Sequence, residues 1–143
     1  MRRFFADTFY WIALFSPKDA WHERVQAFSQ AVGPCRIYTT EEVLSEFLTF
    51  CSAAGAQTRQ QTAALVRSLF NDPSVTVVRQ SHASFLQALS LYETRLDKHY
   101  SLTDCSSMEV MKRQRLTEAL TNDRHFLQEG FQILFQENCS PAN

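Results

Sequence analysis

The chain has 143 residues, 45% of them hydrophobic, and its 14 Lys+Arg against 15 Asp+Glu leave a formal net charge of −1. That is enough apolar material for the core of a single domain, 1–143, and the near-neutral balance excludes a protein held to nucleic acid by a strong basic field. It does not exclude an enzyme that meets phosphates through metal ions.

Residues 2–7 form a short apolar run that ends in an acid, too brief for a helix, and predict a buried first strand with Asp7 at its C-terminal end. A short helix over 8–15 is stopped by Ser16-Pro17. Asp19 is placed to cap a helix over about 20–31, with Trp21, Val25 and Phe28 on one stripe and Gly33-Pro34 beyond its end. Residues 35–39 predict a second strand, and Thr39-Thr40-Glu41-Glu42 has the pattern of a capping box opening a helix over about 40–54. A helix over about 58–71 closes at Asn71-Asp72-Pro73, and the β-branched run 75–79 predicts a strand. Then follow a helix over about 81–98 with Phe85, Leu86, Leu89 and Tyr92 on its apolar side, a helix over about 103–114, and a strand over about 117–121. A short helix over about 123–128, a strand over about 131–135 and a polar, frayed tail from Gln136 complete the chain. Strands alternate with helices throughout, which predicts an α/β fold: a central, mainly parallel sheet of about five strands with helices on both faces.

In an open parallel sheet, ligands bind beyond the carboxyl ends of the strands, so the acids near those ends matter most. Asp7 ends the first strand, and Asp123 follows the fourth in the string Thr-Asn-Asp-Arg-His-Phe. Glu46 falls at the margin of the apolar stripe Val43, Leu44, Phe47, Leu48, Phe50 and Cys51, beside Phe50, a half-sheltered position for a carboxylate. Asp104 lies in the first turn of its helix and shares a face with Met108 and Met111. Each acid alone also fits an ordinary cap, turn or solvated helix position. Together they place carboxylates from separate strand–helix junctions on one edge of the sheet. Like charges brought close raise each other's pKa unless a cation intervenes. Hard oxygen ligands suit Mg²⁺ or Mn²⁺, and two such ions about 4 Å apart can activate water and stabilise the leaving oxygen of a phosphodiester.

The strings FFADTFYWIAL at 4–14, YTTEEVLSEFLTF at 38–50, HYSLTDCSSMEVM at 99–111 and EALTNDRHFLQEGFQIL at 118–134 also carry a family resemblance. The chain resembles PIN-domain proteins, specifically the VapC-type toxins of toxin–antitoxin pairs. The resemblance implies a three-layer sandwich and puts Asp7, Glu46, Asp104 and Asp123 at the family's four acidic, metal-binding and catalytic positions. It gives Thr8 the task of orienting the first aspartate, aligns Ser107 with a supporting hydroxyl, and sets Arg124 and His125 where substrate or partner is met. The activity it implies is a Mg²⁺- or Mn²⁺-dependent endoribonuclease toxin that cleaves structured RNA, tRNA or rRNA, in a homodimer held in check by a cognate VapB-like antitoxin. The alternative, from another class, is a non-catalytic PIN-like module that binds protein or RNA.

The remaining motifs point to few rivals. With three glycines there is neither a G-x-G-x-x-G nor a Walker loop, and no G-x-S-x-G elbow exists for a hydrolase serine. Cys35, Cys51, Cys105 and Cys139 include no C-x-x-C pair, which argues against a zinc or dithiol centre and for reduced thiols in a cytoplasmic protein. No run of 18 or more apolar residues is present for a membrane span, and the N-terminal apolar stretch lacks the cleavage site of a signal peptide. The aromatic N-terminal region reads first as core, with Trp11 and Trp21 as candidates for an exposed partner patch. The basic run Lys112-Arg113-Gln114-Arg115 reads as a helix terminus roughly 12–17 Å from Asp104, at 1.5 Å per residue.

Overall fold

The structure is a computed structural model that describes residues 1–137. The expected frayed tail falls largely on 138–143, which lie outside the described residues, as does Cys139; within the described part, Arg24 donates to the carbonyl of Gln136 at 3.0 Å. In chain order the elements are β1 (Arg2–Ala6), α1 (Thr8–Phe15), α2 (His22–Ala31), β2 (Cys35–Thr40), α3 (Glu41–Cys51), α4 (Ala56–Asn71) and β3 (Val75–Val78). There follow α5 (His82–Thr94), α6 (Leu102–Gln114), β4 (Glu118–Leu120), α7 (Arg124–Gln128) and β5 (Gln132–Ile133). A single 3-10 turn, Ser52–Ala54, extends α3.

All five strands pair in parallel, in the order β3-β2-β1-β4-β5. The central strand β1 is covered on both faces, which is why Phe4, Phe5 and Ala6 are wholly buried and its sequence does not alternate. From β1 the chain steps outward through β2 to β3, then returns across the sheet to β4 and steps outward again to β5. The crevice between β1 and β4 is therefore the topological switch point, where ligands of such sheets bind. Among the helices, α1 lies against α2 and α3, α3 against α4 and α6, α5 on α6 and α6 on α7, so α3 and α6 meet across the switch point.

Several local expectations are corrected. The N-cap of α2 is Trp21, not Asp19; the Asp19 carboxylate instead accepts from the Trp21 N–H at 2.8 Å, in a turn that precedes the helix. The cap of α3 is Thr40, whose hydroxyl accepts from the Val43 N–H at 3.1 Å. Thr39 is taken up elsewhere, accepting from the Trp11 indole N–H at 3.2 Å and donating to the Ala6 carbonyl at 3.0 Å, and Glu42 turns to the hydroxyl of Ser106. Trp11 is thus a core residue and no partner anchor, while Trp21 is half-buried between Phe9 and the guanidinium of Arg24. On α5 the expected apolar face is the exposed one: Phe85, Leu86, Leu89 and Tyr92 face out, and the helix packs through Ala88 and Leu91. Both rows have helical spacing, and periodicity cannot say which of two apolar stripes a neighbouring helix covers.

Gly130 joins α7 to β5 with φ of 97°, a conformation that a side chain rarely adopts, so the turn that returns the chain to the sheet needs glycine there. Among the described residues Cys35, Cys51 and Cys105 are free thiols, and no helix is long and apolar enough to cross a membrane.

Candidate functional site

Strand register builds the site. Ala6 pairs with Leu120, so the residues that follow them, Asp7 and Thr121, emerge side by side at the carboxyl ends of β1 and β4. The Thr121 hydroxyl donates to the Asp7 carboxylate at 2.8 Å, and the same oxygen accepts from the Asp123 N–H at 3.1 Å. Asp123 caps α7, its carboxylate accepting from the His125 N–H at 2.9 Å. Asp104 enters from α6, where it closes a reciprocal capping box with Ser101: its carboxylate accepts from the Ser101 N–H at 3.1 Å and its own N–H donates to the Ser101 hydroxyl at 3.0 Å. The His125 Nδ1 lies 3.4 Å from an Asp104 oxygen and 3.3 Å from an Asp123 oxygen.

The four acids of the sequence analysis are therefore not equivalent. Asp104 and Asp123 converge with His125, their ligand atoms all within 4.8 Å of one another. Asp7 and Glu46 stand outside that group, and each carboxylate accepts from a threonine hydroxyl. The Thr8 hydroxyl donates to Glu46 at 2.5 Å, so Thr8 orients the second acid through its side chain and not the first. The hydroxyl that orients Asp7 is that of Thr121, a residue missed in the sequence although it stands two places before Asp123. Glu46 is exposed and not half-sheltered, and its neighbour Phe50 is exposed with it, so the buried stripe of α3 is confined to Val43, Leu44, Phe47 and Cys51. Ser107 is fully buried, and its hydroxyl has no hydrogen-bond partner among the described residues. Arg124 is exposed beside Asp123.

Electrostatics mark the crevice as a place that lacks positive charge. Asp7 is 7% exposed, and its pKa is pushed up to about 7, first by burial and then by the charges of Asp104 and Asp123, against the relief given by the Thr121 hydrogen bond. Asp104 is also raised, first by burial and further by Asp123, while its bond to the Ser101 N–H and the nearby His125 act the other way. Carboxylates from three elements, two of them pushed toward the neutral form, stand with one imidazole and form a donor set suited to a hard divalent cation.

A second cluster supports this one from behind. The Glu129 carboxylate, its side chain 6% exposed, accepts two hydrogen bonds from Arg95 at 2.9 and 2.8 Å, one from Lys112 at 2.9 Å and one from Tyr100 at 3.1 Å. These donors hold its pKa down to about 2, the Arg95 bond contributing most. Tyr100 in turn packs its ring 5.4 Å from that of His125. One carboxylate thus ties the ends of α5 and α7 to α6, the helices that present Asp123, His125 and Asp104. The basic run at the end of α6 contributes Lys112 to this cluster. Glu129→Ala is expected to cost about 2–3 kcal/mol in denaturant unfolding, below the fully buried range because Arg95 and Lys112 keep partial access to water.

The fold and the site are thus an α/β sheet with an acidic cluster in its switch-point crevice. The PIN domain family model matches residues 4–131, and the chain belongs to that family. Among solved structures it is similar to the VapC20 toxin of Mycobacterium tuberculosis, described as sarcin–ricin loop cleaving: the two are 26% identical, with a TM-score of 0.79 over 90% of this chain and 95% of that one. It also shares the fold of FitAcB from Neisseria gonorrhoeae (16% identity, TM-score 0.63, 92% and 96% covered). The same holds for VapBC2 from Rickettsia felis bound to a DNA fragment from their promoter (11% identity, TM-score 0.60, 92% and 97% covered). No curated protein sequence matches the chain significantly.

Proposed function

We propose that the chain is a VapC-type toxin, a Mg²⁺- or Mn²⁺-dependent endoribonuclease that acts on structured RNA and is restrained by a cognate VapB-like antitoxin. The observation that carries this reading is the convergence of Asp104, Asp123 and His125 in front of buried Asp7, at the switch point of the sheet. Asp7, Asp104 and Asp123 would hold the cation, with Glu46 on the margin, kept in orientation by Thr8. When bound, the cation activates water and neutralises charge on the phosphodiester. The chain's own groups do the rest. Thr121 fixes the Asp7 carboxylate, the Ser101 cap fixes Asp104, and Asp123 is fixed by the first turn of α7. Exposed Arg124 is placed to meet a substrate phosphate.

The likeness to a sarcin–ricin loop cleaving toxin favours a ribosomal RNA hairpin as the first substrate to try. Two apolar surfaces fit the expected partners. A cleft of about 610 Å³, lined by Ile12, Phe15, Pro17, Phe50, Cys51 and Ala54 among others, suits an apolar antitoxin segment, and the first two turns of the exposed α5 face, with Phe85, Leu86 and Leu89, suit a second copy in a homodimer. The test is cleavage of ribosomal RNA and tRNA by the purified protein with Mn²⁺, with Mg²⁺ and with chelator. Discrete cuts with either ion and none with chelator are expected; cutting that persists in chelator would remove the cation from the mechanism.

A further inference from the structure

Beyond the acids and their supports, the loop between α5 and α6 encloses a cleft of about 350 Å³ lined by Tyr92, Arg95, Leu96, Lys98, His99 and Tyr100. No acidic side chain lines it, although it opens next to the acidic crevice: Tyr100 forms its wall and packs against His125, which touches both Asp104 and Asp123. Arg95 spends Nε and Nη2 on Glu129, while its Nη1 makes no hydrogen bond among the described residues. Glu129 is met by two cations, Arg95 and Lys112, so its one charge does not cancel both, and of the two Arg95 lines the cleft. Among the described residues Lys98 pairs only with the highly exposed Asp97, at 3.3 Å, an ion pair that water and salt weaken. Leu96 in this loop is 87% exposed and Tyr92, in the last turn of α5, is 52% exposed, flat or apolar surface with no function in the core.

Cations that track a backbone beside an exposed aromatic face are what unpaired nucleotides require: phosphates meet the cations, and a base lies on the ring. We propose that this cleft is the subsite for the unpaired nucleotides next to the scissile phosphate, with Arg95, Lys98 and His99 receiving phosphate and Tyr92 receiving a base. The inference rests on the endoribonuclease reading and deepens it. The acidic crevice repels an RNA strand everywhere except where a cation sits, so a cationic lip one residue layer away gives the strand its anchor and its direction across the acids.

The experiment measures binding of a fluorescein-labelled ribosomal RNA hairpin by anisotropy, in chelator so that the RNA stays intact, across a salt series. Lys98→Ala with His99→Ala is expected to weaken binding about tenfold and to lower the slope of log affinity against log salt by about 0.7 for each phosphate left without its cation. Tyr92→Ala is expected to weaken binding by about 5- to 150-fold, the range of one base stack, with the slope unchanged. Arg67→Ala, which removes a cation on distant α4, is expected to change neither. Arg95 is left intact because it also holds Glu129. Wild-type affinity and slope in the Lys98/His99 variant, or equal losses from Arg67→Ala, would overturn the subsite while metal-dependent cleavage by the wild type kept the nuclease reading standing. A wild-type protein that neither binds nor cuts RNA would overturn both.

Discussion

Asp7→Asn should abolish RNA cleavage, by about 10³-fold or more, and at the same time make the cation-free protein more stable. The activity loss follows from removing a carboxylate from the cation's surroundings, where several kcal/mol of charge stabilisation are at stake. The stability gain follows from burial. In the folded chain the Asp7 pKa stands at about 7 against an ordinary 3.8, so ionisation opposes folding. The sign is fixed by that order: the penalty is absent below about pH 4, grows between about pH 4 and 7, and is complete above about pH 7. Its full size is about 4 kcal/mol at 1.36 kcal/mol per pKa unit. Asparagine keeps an oxygen to accept from the Thr121 hydroxyl, so the hydrogen bond survives the change. Denaturant unfolding in chelator at pH 4.5 and pH 8 reads the effect directly. The variant should exceed the wild type by about 4 kcal/mol at pH 8 and by only about 1 kcal/mol at pH 4.5. Equal stability at both values would mean that Asp7 is not strained by its surroundings. The same linkage makes divalent binding by the wild type tighten from pH 6 to pH 8, because the proton on Asp7 must leave before its carboxylate can face a cation.

Asp104→Asn should weaken Mn²⁺ binding at least about a hundredfold in calorimetry, and cleavage should fall with it. Asp104 offers one of three candidate ligand atoms that lie within 4.8 Å of one another, and it is the one contributed by α6. Its second task, closing the capping box with Ser101, needs only an oxygen, which asparagine retains. The melting temperature should therefore stay within a few degrees while the isotherm disappears, and this separation distinguishes a ligand from a mere helix-cap acid. An unchanged Mn²⁺ isotherm would detach Asp104 from the cation altogether. A binding module without metal chemistry, the alternative that the sequence also allowed, predicts no isotherm in the wild type either.

The alternation of strand and helix was legible because β1 and the 75–79 run are short, apolar and β-branched or aromatic, whereas the helices carry 3.6-residue spacing and recognisable stops such as Asn71-Asp72-Pro73. The acids at the ends of β1 and β4 were legible for the same reason, since a strand's end can be read from where its apolar run stops. Two things were not. The partners of Asp7 and Glu46 are hydroxyls exchanged between elements, Thr121 with Asp7 and Thr8 with Glu46, and they depend on the register Ala6↔Leu120 and on the seat of α3 against α1. Glu129 gave no local sign at all, because its three donors come from positions 95, 100 and 112, distant along the chain.

Local chemistry along the chain was thus sufficient for the order of elements, the parallel sheet and the acids at the ends of β1 and β4. Which acids converge, which threonine serves which carboxylate, and which stripe of α5 faces solvent were set by packing. The physical reason is range. Propensity, capping and periodicity act over a few residues, whereas burial, strand register and the shifted ionisation of Asp7 arise from groups that meet only once the chain has folded.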